Sequence, residues 1–177
     1  LSTTNGRSND NVWALHEDAD GVLWVGTERG LNRLEDGRIT VFTTREGLPD
    51  NLITTLLEDD FGRLWGGHDH GIYWVAKQEL NEVAAGHTRF VHAVRYDQTD
   101  GLLTPEVNGQ KSFPAACKTR DGRLWFPTVK GVAVIDPAKV ALDATAPLTV
   151  IEEIRAGGKT PGLWLAPFVL QPGSTID

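Results

Sequence analysis

One segment recurs three times along this chain, and only an architecture built from repeated units can accommodate that. Asp20-Gly-Val-Leu-Trp24-Val-Gly-Thr-Glu-Arg-Gly30-Leu31 aligns with Phe61-Gly-Arg-Leu-Trp65-Gly-Gly-His-Asp-His-Gly71-Ile72 and with Asp121-Gly-Arg-Leu-Trp125-Phe-Pro-Thr-Val-Lys-Gly131-Val132. The three tryptophans lie 41 and then 60 residues apart. The first interval extends outward on both sides: Glu17-Asp18 falls on Glu58-Asp59, Val12 on Ile53, Gly6 on Gly47 and Leu1 on Phe42.

Each unit reads as short strands cut by turn signals. In the second, strands are expected over 52–57, 63–67 and 72–75, with turns at Asp59-Asp-Phe-Gly62 and His68-Asp-His-Gly71. The first unit shows its fourth strand at Ile39-Thr-Val-Phe42. Helical periodicity is missing from these segments, which excludes a horseshoe of helices. Four antiparallel strands in about 40 residues, with Gly and Trp at fixed places, define a β-propeller blade. The fold class is therefore all-β, a partial β-propeller of about three blades. The longer second interval is explained by an inserted helix: 77–85 carries good helix formers and stops at Gly86, and a strand follows over 90–96. That helix is expected to decorate the rim of its blade.

The pattern breaks at Asp136-Pro137. The expected organisation is a C-terminal propeller arc over 1–143, with blades at about 7–46, 47–101 and 102–143, then a linker and the opening strands of a second β-domain over 144–177. No methionine occurs among the 177 residues, so Leu1 is not a translation start and the sequence is expected to be cut from a longer chain.

Composition removes several function classes. Lys plus Arg is 17 against 24 for Asp plus Glu, so the net charge of -7 disfavours nucleic acid and anionic lipid as partners. A single cysteine, Cys117, excludes an internal disulfide and a cysteine-cluster metal site; its apolar neighbours predict a small buried hydrophobe. The apolar stretch 162–170 is interrupted by Pro167 and is too short to span a bilayer. No nucleophile elbow, P-loop or dinucleotide fingerprint is present, and no cofactor is expected. The acidic pairs at 17–18 and 58–59 are copied between units, which marks them as structural rather than catalytic.

Gly47-Leu-Pro-Asp-Asn51-Leu-Ile, with Glu58-Asp59, Gly62-Arg-Leu-Trp65 and Gly71-Ile72, resembles the two-component regulator propeller repeat. Asp100-Gly-Leu-Leu-Thr-Pro-Glu106 and the run from Asp121 to Pro137 are similar to that family's last blade, and 148–177 resembles the start of the tyrosine-motif immunoglobulin-like domain that follows it. The resemblance implies a ring with more blades than three, serving as the periplasmic sensor of a hybrid histidine kinase. It implies no enzymatic activity in this segment. Phe61 and Gly66-Gly-His68 depart from the family pattern, which leaves the fold unchanged and predicts a locally unusual turn in the second blade.

The repeat assigns roles by position. Trp24, Trp65 and Trp125 should fill the wedges between blades, and Gly30, Gly71 and Gly131 should occupy turns that need positive φ. A blade without a neighbour leaves apolar surface and strand edge bare, so the ends of the arc should be covered by the rest of the propeller or by another copy of the chain.

In a four-stranded meander, the loop leading into the first strand and the turn between the second and third share one face, and function concentrates on such loops. Asn9, Asp10 and Asn11 fall there, with the ligand-binding candidates Asp50, Asn51, Glu28, Arg29, His68, Asp69, His70, Glu106, Asn108 and Lys130. These are hydrogen-bonding groups suited to a small polar or carbohydrate signal, although Asn and Asp also favour such turns for local reasons. Two histidines at i and i+2 hold zinc only with a further ligand. The sequence does not place His16, His87 or His92 beside them, so no metal site is assigned and metal binding by His68 and His70 stays open. A sensor segment is the leading expectation; a propeller enzyme of lyase type and an assembly scaffold are the alternatives.

Overall fold

The first sheet is an antiparallel meander of β1 (Val12–Glu17), β2 (Leu23–Thr27), β3 (Gly30–Glu35) and β4 (Arg38–Phe42) in spatial order 1-2-3-4. The second repeats it with β5 (Thr55–Glu58), β6 (Arg63–His68), β7 (Gly71–Ala76) and β8 (Val94–Tyr96). In the third, β10 (Leu124–Thr128) pairs with β9 (Cys117–Lys118) on one side and β11 (Gly131–Ile135) on the other. The structure is a computed structural model that describes residues 6–108 and 115–140. Among these the first two sheets have four strands each and the third has three. The expected linker and second β-domain lie outside the described residues. The chain is a partial β-propeller.

Corresponding strands occupy corresponding registers. Trp24 faces Arg33 and Trp65 faces Trp74 across the second and third strands, while Trp125 faces Val134. Because neighbours along a strand point to opposite faces, each tryptophan lies on the face turned toward the next blade. Trp24 packs with Phe42, Leu56, Leu64 and Tyr73 in the core between the first two sheets. Trp65 packs with Trp74, Val107, Leu124 and Phe126 in the core between the second and third. Trp24 and Trp65 are completely buried, as their role requires. Trp125 is only half-buried, because no described blade covers its face; Val132 and Val134 beside it are 58% and 44% exposed.

The acidic pair explains how the tryptophans are fixed. Asp18 Oδ1 accepts the backbone N–H groups of Asp20 and Val22, closing the first turn, while Oδ2 accepts the Trp24 indole N–H. Asp59 does the same for Phe61, Arg63 and Trp65. Phe61 therefore leaves the turn unaltered: its ring lies exposed under the Arg63 guanidinium. In the third blade Thr119 stands at the Asp position, and among the described residues the buried Trp125 indole N–H has no hydrogen-bond partner.

Three expectations change on seeing the fold. Cys117 is exposed, because it sits on β9 beside Trp125 on the uncovered side of the third sheet. The strands expected at 52–57 and 90–96 begin later, at Thr55 and Val94, because the preceding residues cross between blades instead: Ile53 N–H bonds to Thr27 C=O and Val91 N–H to Glu46 C=O. Helix α1 (Lys77–Ala84) lies where predicted, yet it is more than rim decoration. Its Leu80 is fully buried in the core between the first two blades, and its Asn81 accepts the Arg33 Nε–H at 2.9 Å.

Candidate functional site

Consecutive blades are stitched along one face. Ile53 N–H donates to Thr27 C=O, and Val107 N–H donates to His68 C=O, so each lead-in loop rests on the preceding blade's second turn. Asn108 N–H then bonds to Pro127 C=O, and Val129 N–H to Glu106 C=O. The candidate residues form one polar ribbon across three blades.

Not all of them are free to bind. Asn51 Oδ1 accepts the Thr44 N–H at 2.9 Å, tying its own loop. Asp50 Oδ1 accepts the Leu52 N–H at 3.0 Å. Glu28, Arg29, Glu106, Asn108 and Lys130 are exposed, and Asp69 is half-buried. Their backbone groups close turns while their side chains face outward.

The second blade brings three candidates together. Asp50 Oδ2 lies 3.0 Å from His70 Nδ1 and 3.5 Å from His68 Nδ1, with all three ligand-type atoms within 4.8 Å of one another. His68 is fully buried, Asp50 partly so, and the His70 side chain is 72% exposed. The pocket for His68 exists because of neighbouring changes. Gly66 replaces Val25 of the first blade, Tyr73 replaces Asn32, and a Cβ at Gly66 would run into the Tyr73 ring, which lies 5.7 Å from that of His68. Gly71, at φ 145, turns the chain where a Cβ would strike the Tyr96 carbonyl.

His68 occupies a position with a defined job. In the first and third blades the residue is Thr27 or Thr128, whose hydroxyl accepts the N–H two residues on and donates to the glycine carbonyl three residues on. His68 Nδ1 accepts the His70 N–H at 3.2 Å and makes no donation to Gly71. Its Nε2 is buried with no hydrogen-bond partner among the described residues. Burial pushes the His68 pKa down, opposed by Asp50 and reinforced by His70 and Arg95, so the ring is neutral at neutral pH. Burial by itself would raise Asp50, but the Leu52 N–H, His70 and His68 hold its carboxyl below the ordinary value.

Sequence reasoning missed a second polar cluster on the opposite face. Lys77 Nζ reaches Glu58 at 2.8 Å, Asp18 at 3.2 Å and Asp20 at 3.4 Å, and His16 Nε2 reaches Glu58 at 3.0 Å. Burial opposes the Lys77 charge, but Glu58 and Asp18 outweigh it and push its pKa up to about 12. Only the copied acidic pair hinted at this, since the inserted helix that supplies Lys77 has no counterpart in the first blade. A groove of about 540 Å³ lies beside it, lined by Phe61, Lys77, Asn81, Glu82 and His87 among others. Those polar groups are already engaged: Lys77 as above, Asn81 with Arg33, and Glu82 with His87. The groove is thus weaker as a site than the ribbon.

Residues 6–29 and 47–70 match the family model described as two component regulator propeller, one stretch in each of the first two blades. Among curated proteins, none matches it. Solved structures share the fold. The extracellular domain of BT3049 from B. thetaiotaomicron, assigned to a hybrid two component system, superposes with a TM-score of 0.67 over 99% of this chain and 22% of its own, at 18% identity. That of BT4673 from the same organism, also assigned to a hybrid two component system, gives 0.61 over 75% and 18%, at 21% identity. The chain spans about a fifth of the length of these relatives. No helix among the described residues is long and apolar enough to cross a membrane.

Proposed function

We propose that this chain is a signal-sensing segment of a periplasmic propeller in a two-component regulator of the hybrid histidine kinase type. Its ribbon of lead-in loops and second turns binds a small polar ligand of carbohydrate class, and the propeller relays occupancy to a kinase elsewhere in the protein. The supporting observation is the stitching of three blades through Thr27, His68 and Val107, which sets exposed Arg29, Glu106, Asn108 and Lys130 along one face. Strands committed to packing cannot offer such groups; loops held by backbone hydrogen bonds can. The matched repeat and the likeness to extracellular domains of two component systems support this reading over a propeller lyase.

A further blade covers the third sheet in this reading. The same face is buried in the first two blades, whereas Trp125, Val132 and Val134 are partly or largely bare in the third. The binding proposal is tested by calorimetry with defined oligosaccharides and other polar compounds. A ligand should bind without being converted, and Glu106→Ala should weaken it. Turnover of any panel member that survives purification would favour the lyase, and unaltered signalling by Asn51 and Glu106 variants of the full-length protein would favour a scaffold.

A further inference from the structure

We propose that Asp50, His68 and His70 form a binding site for a first-row divalent cation of the Zn²⁺ class, with three protein ligands and one position open to solvent. The proposal does not depend on an organic ligand at the same face.

The donor set suits such an ion: imidazole nitrogens with one carboxylate are the ligands of zinc sites that keep an open position. The spacing suits it as well. Ligands about 2.0–2.1 Å from a tetrahedral ion sit roughly 3.3 Å apart. Asp50 Oδ2 is already 3.0 Å and 3.5 Å from the two imidazole nitrogens. The missing further ligand for the histidine pair is thus supplied across the fold, from a loop 18 residues before His68.

The repeat shows that turn closure does not call for these residues. The first blade has Asn9, Thr27 and Arg29 at the three positions, and the third blade has Thr128 and Lys130 at the last two. Replacing a threonine by His68 forfeits the donation to the glycine carbonyl and buries a ring nitrogen without a partner. Such a nitrogen destabilises the fold. Making room for the ring also required Gly66 beside Tyr73. An ion held by His68 Nδ1 gives these concerted changes a purpose. Binding would displace the His70 N–H from that nitrogen, a long bond at 3.2 Å on a turn that solvent reaches. Arg95, the arginine whose charge acts on His68, is itself paired with Asp97 at 2.9 Å, and Asp50 brings a carboxylate to the site.

The test is titration of the chelator-stripped full chain with CoCl₂ and ZnCl₂, read by visible absorption and histidine NMR. One Co²⁺ should bind with a tetrahedral visible band that Zn²⁺ displaces. Resonances of His68 and His70 should shift while those of His16, His87 and His92 stay. Asp50→Asn and His70→Ala, both at solvent-reached positions, should each lower affinity by about tenfold or more, since even partners of a ligand are worth about 10–100-fold. If either variant fails to fold, the NMR shifts of the unaltered protein decide the matter. No stoichiometric binding, shifts confined to His87 or His92, or undiminished binding by folded variants would overturn the site.

Discussion

Asp59 accepts the Trp65 indole N–H at 2.7 Å and the Arg63 Nε–H at 2.6 Å on one carboxylate oxygen, entirely out of solvent. Its other oxygen closes the turn through Phe61 and Arg63. One side chain thus fixes a turn, a wedge tryptophan and a guanidinium that also donates to Pro137 C=O at the start of the exit from the third blade.

Asp59→Ala should therefore be among the most damaging single changes. It strands a buried guanidinium and an indole N–H, for which a loss of about 3–5 kcal/mol is expected. Urea unfolding measures it. The reverse experiment is Thr119→Asp, which restores the repeat's carboxylate under Trp125. It should stabilise the third blade by about 1 kcal/mol, read as a raised midpoint.

Gly66 and Tyr73 should be coupled. Gly66→Val alone forces a side chain into the Tyr73 ring and should cost about 1–3 kcal/mol or more. Combined with Tyr73→Asn it recreates the Val25 and Asn32 pair of the first blade. A double-mutant cycle should show recovery of a large part of the loss; additive losses would mean that the two positions do not share space.

Lys77 and Asp18 set the pH limits of their cluster. Asp18 is held below its ordinary pKa: burial opposes the shift, but the Trp24 and Val22 N–H groups and Lys77 prevail. Its stabilisation is present above the unfolded value of 3.8 and is lost as pH falls through the lower folded value. Lys77, raised from 10.5 to about 12, stabilises fully below 10.5, and the effect disappears as pH rises through about 12. The stability difference between the wild type and Lys77→Met should accordingly be flat through neutral pH and shrink over that alkaline window. Denaturant unfolding at several pH values measures it.

The third sheet should make the isolated chain self-associate. Val132→Lys with Val134→Lys places charges on its bare face and should lower the sedimentation-derived mass without lowering the unfolding midpoint.

Much of this was legible in the sequence because a repeat compares the chain with itself. The tryptophan spacing located the second strands of all three blades, and the turn glycines at 30, 71 and 131 all have positive φ. Strand starts were less legible. Residues 52–54 carry strand-like side chains, but Ile53 spends its N–H on Thr27 of the preceding blade and Leu52 spends its own on Asp50 in the same loop, choices that local pattern does not encode. Cys117 misled for a different reason: its neighbours are apolar, yet its own side chain lies beside Trp125 on the uncovered side of the third sheet. At the site, His68 stood out as a departure from the repeat and His70 as its partner two residues on. Asp50 as their partner, and Lys77 reaching three carboxylates, became visible only when lead-in loop and inserted helix were placed on their blades.

Signal binding is proposed for the ribbon of lead-in loops and second turns. Hydrogen exchange on the full chain, with and without an oligosaccharide that calorimetry shows to bind, tests it directly. Protection should appear at 47–54, 68–71 and 104–108 and vanish in Glu106→Ala. Protection confined to the groove beside α1, at 76–87, would contradict it.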